Sequence, residues 1–232
     1  MQNRLSSLRT FAAAAALFAV VGSAQADMTF FSSQADYLSY LDRPVTDDFS
    51  DLSSSLGAQL NGPQRQAGSF GYGIYSYEFL DGFPDYVTAV GSLDNPQIST
   101  WDNWSTLIMD KFTGGANAFG INVWGQTGAG AFVPGQTIEF EVVDSTGADQ
   151  YFHFTPTDTG DGSFVGVISN GTIKIVNLTV VVNPNLLNQP FVTADNVTLG
   201  QATVPVPEPT SYALMLAGLA ALGAVVRRRR KA

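Results

Sequence analysis

The chain of 232 residues has no cysteine, one histidine, and eleven Lys and Arg against twenty Asp and Glu. Without cysteine, thiol catalysis, Cys-based zinc sites and iron–sulfur chemistry are excluded, and the core must hold the fold without disulfides. Basic residues are scarcer than the total suggests. Arg4 and Arg9 lie at the N-terminus and Arg227 to Lys231 form a terminal run, leaving Arg43, Arg65, Lys111 and Lys174. All twenty acids fall between Asp27 and Glu208, so this stretch sets four cations against twenty anions, a net charge of −16. Such a surface repels nucleic acid and anionic lipid and attracts divalent cations. Nucleic acid is therefore excluded as a partner.

Long apolar runs occur only at the two ends. "MQNRLSSLRTFAAAAALFAVVGSAQA" places two arginines before an apolar run and small residues at Ala24 and Ala26. That order predicts a secretory signal peptide over 1–26, cleaved after Ala26. At the other end, Val206, Pro207, Glu208, Pro209 and Thr210 precede an uncharged stretch from Ser211 to Val226 and then the five cations. Pro207 and Pro209 break any helix. The stretch after them would be a helix about 24 Å long, slightly short of a bilayer core of about 30 Å. The basic run would sit on the cytoplasmic side. A plain single-pass anchor and a processed sorting signal both fit this pattern.

The three-part C-terminus, with a signal peptide upstream, resembles the PEP-CTERM sorting signal of Gram-negative bacteria. The resemblance covers the tail alone. It implies recognition by exosortase, a membrane-embedded cysteine enzyme, with the tail transiently in the inner membrane and removed near Pro-Glu-Pro. It also implies delivery to the cell surface or the extracellular exopolysaccharide matrix. The expected organisation is a signal peptide (1–26), an exported domain (27–203) and a sorting signal (204–232) with a transmembrane helix at 211–226 and a basic tail at 227–231.

The middle reads as all-β. Gly, Ser, Thr, Asn and Asp punctuate short runs of β-branched and aromatic residues at the spacing of an antiparallel sandwich. One short helix is predicted early, where Ser33 and Asp36 have capping-box spacing and Tyr37, Leu38 and Leu41 share a face. Strands follow: "VTDDFSDL" opens the sheet, "NAFGINVWG" turns Phe119, Ile121 and Val123 inward, and "QTIEFEVVDSTG" alternates Ile138, Phe140 and Val142 with outward Glu139 and Glu141. "YFHFTPTDTGDGSFVGVIS" reads as a hairpin around Asp158 to Gly162, and "VTADNVTLG" closes the domain. Charges on alternate positions predict sheets with one wet side. The Asp-Phe, "AFG", "FVGVIS" and "DNV" strands also resemble the ectodomain common in such exported proteins, which implies a jelly-roll β-sandwich of the lectin or carbohydrate-binding-module kind.

No catalytic set emerges. Asp158-Thr159-Gly160 occurs once, whereas an aspartic protease needs two facing carboxylates; a turn explains it. His153 stands on a strand with no nucleophile motif in the sequence to pair with it. Glu139 and Glu141 share a strand face, but a glycosidase needs its two carboxyls across a cleft. The aromatic loop "STWDNWST" is the stronger candidate. Trp101 and Trp104 could stack on sugar C–H faces while Asp102 and Asn103 bond hydroxyls; the competing reading has both indoles plugging the core. Calcium is the candidate cofactor, because the opening and closing strands of a jelly roll lie side by side. That would bring Asp47, Asp48 and Asp195 together, with Asn196 or backbone carbonyls completing the shell. The expected function is a non-enzymatic surface or matrix protein in contact with exopolysaccharide, and the alternative is a secreted polysaccharide hydrolase.

Overall fold

A computed structural model describes residues 28–78, 84–102, 104–181 and 189–202, together with helical Gly218. The expected signal peptide, the sorting motif and, Gly218 aside, the predicted transmembrane helix lie outside the described residues. Among the described residues no helix is long and apolar enough to cross a membrane.

The chain begins with β1 (Thr29–Phe31) and α1 (Gln34–Ser39). Ser33 caps α1 by accepting the Asp36 amide at 3.2 Å, as its spacing from Asp36 predicts. Next come β2 (Leu41–Asp47), β3 (Gln59–Leu60), β4 (Gln64–Ala67), β5 (Phe70–Glu78) and β6 (Pro84–Asp85). The "VTDDFSDL" segment is strand only as far as Asp47. Phe49 adopts φ 55°, which ends the strand, and a 3-10 turn follows over Ser50–Ser55. The series continues with β7 (Val87–Ser92), β8 (Asn95–Thr100), β9 (Ser105–Asp110), β10 (Ala118–Gln126) and β11 (Ile138–Asp144). It ends with β12 (Asp149–Phe154), β13 (Phe164–Ile168), β14 (Ile173–Val180) and β15 (Phe191–Ala202).

The strands form two antiparallel sheets, a β-sandwich. One runs β1-β13-β10-β15-β8-β7-β3, with β2 also on β15; the other runs β12-β11-β14-β9-β5-β4, with β6 on β5. The expected hairpin around Asp158 is corrected here. β12 pairs with β11 in the second sheet and β13 with β1 and β10 in the first, so 155–163 carries the chain from one sheet to the other. Asp158 shapes this crossover by accepting the amides of Gly160 at 2.7 Å and Gly162 at 3.0 Å.

Phe119, Ile121, Val123, Ile138, Phe140 and Val142 all reach the core between the sheets, as their alternation predicts. β15 switches partners along its length, from β8 at Thr193 and Ala194 to β2 at Val197 onward. A bulge at Asn196, with φ 54°, marks the handover. The extra residue reverses the strand's parity, so Val192 and Ala194 before it and Val197 and Leu199 after it all face the core.

Two buried carboxylates tie the layers together. Asp47 on β2 takes the Arg65 guanidinium of β4 at 2.6 and 2.9 Å and the Tyr72 hydroxyl of β5 at 2.8 Å. Asp144 accepts from Thr146 and Ala148 on its own turn and from the Ser169 hydroxyl, just beyond β13 in the other sheet. Burial alone would raise the Asp144 pKa, but the hydroxyl and amide donors outweigh it and hold the pKa below the usual value.

Candidate functional site

β7, β8, β15 and β10 run side by side in the eight-stranded sheet. Val87, Ala89, Ile98, Val192, Ala194 and Val123 face the core, so their strand neighbours line the opposite face. Register puts Thr88 beside Ser99, Ser99 beside Thr193, and Phe191 beside Gln126. Trp101 follows Thr100 and continues the outward parity of Ser99. Together they make a cleft of about 220 Å³ lined by Thr88, Val90, Ser99, Thr100, Trp101, Gln126, Thr127, Gly128 and Phe191.

The floor of the cleft is already ordered. Ser99 Oγ lies 3.1 Å from Thr193 Oγ1 and 3.2 Å from the Val192 carbonyl. The Thr100 hydroxyl donates to the Asp102 carbonyl at 2.8 Å and accepts the Val192 amide at 3.2 Å. Asp102 in turn accepts the Trp104 amide at 2.7 Å, a local turn that fixes where the indoles project. Trp101 is 46% exposed and Trp104 51% exposed. They do not plug the core. Trp101 lines the cleft and Trp104 does not; Asp102 is spent on the loop itself, and Asn103 lies outside the described residues.

Gln126, Phe191, Thr88 and Val90 were not visible as site residues in the sequence, because they come from three separate strands. The only local hint is parity. On β10 the residues alternating with Phe119, Ile121 and Val123 are Gly120, Asn122, Trp124 and Gln126, an unusual set for the wet side of a sheet.

The acidic residues are disposed differently from the calcium expectation. β2 and β15 are neighbours, with Val197 opposite Asp47, so the juxtaposition of opening and closing strands is present. Asp47, however, is the counter-ion of Arg65 and also accepts the Phe49 amide at 3.1 Å. Its oxygens are taken by donors, which corrects its place in a calcium shell. Asp48 accepts the Ser50 amide at 3.1 Å. Asp195 is buried and accepts the Asn196 amide at 2.8 Å. Burial pushes its pKa up to about 6, against the lowering effect of that amide, and the charge of Asp48 adds to the rise. Among the described residues no three His, Asp or Glu side chains converge as a metal site.

The hydrolase candidates stand on the far side of the molecule. His153 and Glu139 face each other at 2.7 Å on adjacent strands of the seven-stranded sheet, both open to solvent. Glu141 accepts from the Tyr151 hydroxyl at 2.7 Å and the Asn177 amide at 2.6 Å. Neither glutamate lines the Trp101 cleft.

No curated protein matches the chain. Among solved structures it is similar to the CBM22-1–GH10 modules of Clostridium thermocellum endo-1,4-β-D-xylanase 10B complexed with xylohexaose, at 13% identity and a TM-score of 0.36 over 58% of this chain and 27% of that one. It is similar to CBM51-2 and INT domains of Clostridium perfringens ZmpB in complex with GlcNAc, at 13% identity and a TM-score of 0.33 over 70% of this chain and 32% of that one. The CBM22-1–CBM22-2 tandem of Paenibacillus barcinonensis Xyn10C gives 12% identity and a TM-score of 0.31 over 81% and 50%. The chain thus spans half or less of the length of these proteins. At the C-terminus, residues 205–231 match the PEP-CTERM protein-sorting motif.

Proposed function

We propose that this chain is a non-enzymatic exported protein, sorted by exosortase to the cell surface or extracellular matrix, whose jelly-roll-type sandwich binds polysaccharide in the Trp101 cleft. The observation that carries the reading is Trp101 itself. The core is complete without it, yet a local turn holds its indole half exposed at the rim of a polar cleft. An indole face offers apolar area to the C–H side of a sugar ring, and neighbouring hydroxyls and amides meet its polar edge. The carboxylates favour binding over hydrolysis. Glu139 and Glu141 are engaged on an open sheet face, and Asp195, with its raised pKa, does not line the cleft.

In this reading the signal peptide delivers the domain across the inner membrane, the C-terminal segment holds it there, and exosortase removes the segment. Intact-mass measurement on protein from its own host tests the sorting step. The mature form is expected to lack Arg227 to Lys231, and recovery of the chain through Ala232 would reduce the segment to a plain anchor. Incubation with the host's own exopolysaccharide tests the domain. Co-sedimentation without new reducing ends is expected, with Trp101→Ala weakening it about tenfold, equivalent to roughly 1.4 kcal/mol. Release of reducing ends would instead identify a hydrolase.

A further inference from the structure

Among the polar groups lining the cleft, the Gln126 amide is one that the fold leaves unused. Gln126 is only 6% exposed and lines the cleft, and its side-chain amide has no hydrogen-bond partner among the described residues. Its amide is not one of the buried polar atoms left without a partner, so water reaches it through the cleft and a ligand hydroxyl can take that water's place. By contrast, the Gln136 amide donates to the Val181 carbonyl at 2.6 Å. A free amide presents one acceptor and two donors on a single plane, which matches two adjacent hydroxyls: one donates to Oε1 while the other accepts from Nε2.

Charge limits what those hydroxyls can belong to. The cleft lining contains no ionisable side chain. Of the four cations between the sorting segments, Arg65, on the other sheet, is bound to Asp47 and Asp51, and none of the others lines the cleft. The stretch from Asp27 to Glu208 around it carries −16. A polyanion would meet repulsion from the whole surface with no local cation to offset it.

Resting on the polysaccharide reading above, we infer that the cleft takes a neutral sugar ring, with adjacent hydroxyls on the Gln126 amide and its C–H face on Trp101, and discriminates against uronate-containing or sulfated polymers. Ligand recognition then depends on hydrogen bonding and stacking, so its affinity is insensitive to salt, unlike the binding of a charged polymer.

Affinity electrophoresis of the secreted protein tests this, with xylan, dextran and a mixed-linkage β-glucan as neutral probes and polygalacturonate and dextran sulfate as anionic ones, at low and at high salt. Retention by at least one neutral polymer, unchanged by salt, is expected, with no retention by the anionic polymers. Gln126→Met, which keeps the side-chain length, should weaken retention about tenfold. Its melting temperature serves as the check that the fold survives, and Gln126→Glu should weaken retention at least as much. Anionic polymers retained as strongly as neutral ones, or retention unaffected in a folded Gln126→Met variant, would overturn the inference while leaving polysaccharide binding in place. Retention by none of the five polymers would overturn the binding reading, and this inference with it.

Discussion

The outer faces of the two sheets have opposite characters. In the seven-stranded sheet, β11 reads buried at Ile138, Phe140, Val142 and Asp144 and half-buried at the residues between, while β12 alternates exposed and half-buried. In the eight-stranded sheet, all nine residues of β10 and all five of β13 are buried. Along β10 and β13 the eight-stranded sheet is covered on both faces. Tyr37 of α1 lies against Phe164 with ring centres 5.4 Å apart and donates its hydroxyl to the Thr198 carbonyl at 3.2 Å. Asn122 binds the Gly160 carbonyl of the crossover loop at 2.7 Å. The Trp101 cleft is the part of this face left open. A sheet covered on one end by a helix and in the middle by loops becomes walled where the cover stops. A bare sheet face such as that of β11 and β12 offers only a flat surface.

The largest test of this contrast is the bridge between the sheets. The Arg65 and Asp47 side chains are 9% and 6% exposed. Burial alone would lower the Arg65 pKa, but hydrogen bonds to Asp47 and Asp51 more than reverse it. The guanidinium also lies 5.1 Å above the Phe49 ring. Arg65→Met leaves a buried carboxylate without its counter-ion and should destabilise by about 3–5 kcal/mol in urea unfolding. Adding Asp47→Asn to that variant should recover a large part of the loss, since the uncompensated charge is gone.

Glycine substitutions probe the two faces directly. Gly120 and Gly166 are register partners, and a Cβ on either would come within 2.9 Å of the Tyr37 ring and 3.0 Å of Phe164. Gly120→Ala should therefore cost about 1–3 kcal/mol, because two packed aromatic rings must move. Gly73 has the outward parity on β5, and its Cβ would meet the ends of the Asp110 and Gln64 side chains at 2.9 Å. Those ends can swing aside, and alanine also suits a strand better than glycine. Gly73→Ala should stay within about 1 kcal/mol of the parent. Equal losses at the two sites would remove the distinction between a covered and an uncovered face.

Asp195 sharpens the contrast through pH. Its buried carboxyl has a pKa of about 6 in the folded protein, against about 3.9 when unfolded. The native state therefore holds a proton that the unfolded state releases. Its stabilising contribution is present below pH 4 and is lost as pH rises through 6, a change of about 2–3 kcal/mol. Asp51, which Arg65 holds below its usual pKa, and Asp144 act in the opposite sense, losing their contribution on acidification. Asp195→Asn isolates the first effect. The variant should gain stability over the parent at pH 7, and the gain should shrink toward pH 4. A difference that does not vary with pH would show that the carboxyl is not held protonated. The smallest effect is expected on the wet face, where Glu139→Gln breaks an exposed pair with His153 and should change stability by less than about 0.5 kcal/mol.

Much of the sandwich can be read along the chain. The alternation of Ile138, Phe140 and Val142 with Glu139 and Glu141, and the Ser33 cap of the helix, are local patterns that tertiary structure preserved. Prediction failed where a local pattern had two solutions. "TDTGDG" carries turn chemistry suited either to a hairpin or to a crossover, and only the partners of β12 and β13 decide between them. Likewise, β10 has the parity of a half-buried strand, but whether its second face meets water depends on α1 and the crossover arriving above it.

The sequence by itself carried the charge balance and the sorting motif: no thiols, a strongly acidic middle and a tail whose order of Pro-Glu-Pro, apolar stretch and cations is contiguous. It also determined that Trp101 and Trp104 sit in a polar loop. Tertiary structure decided the rest of the site. Gln126, Phe191, Thr88 and Trp101 meet because β7, β8, β15 and β10 are neighbours in space, and pairing between distant strands is set by which faces bury one another. Asp47 was spent the same way. A carboxylate that looked free beside Asp48 found Arg65, eighteen residues along, because the buried edge between two sheets requires a counter-charge and this chain has few to supply.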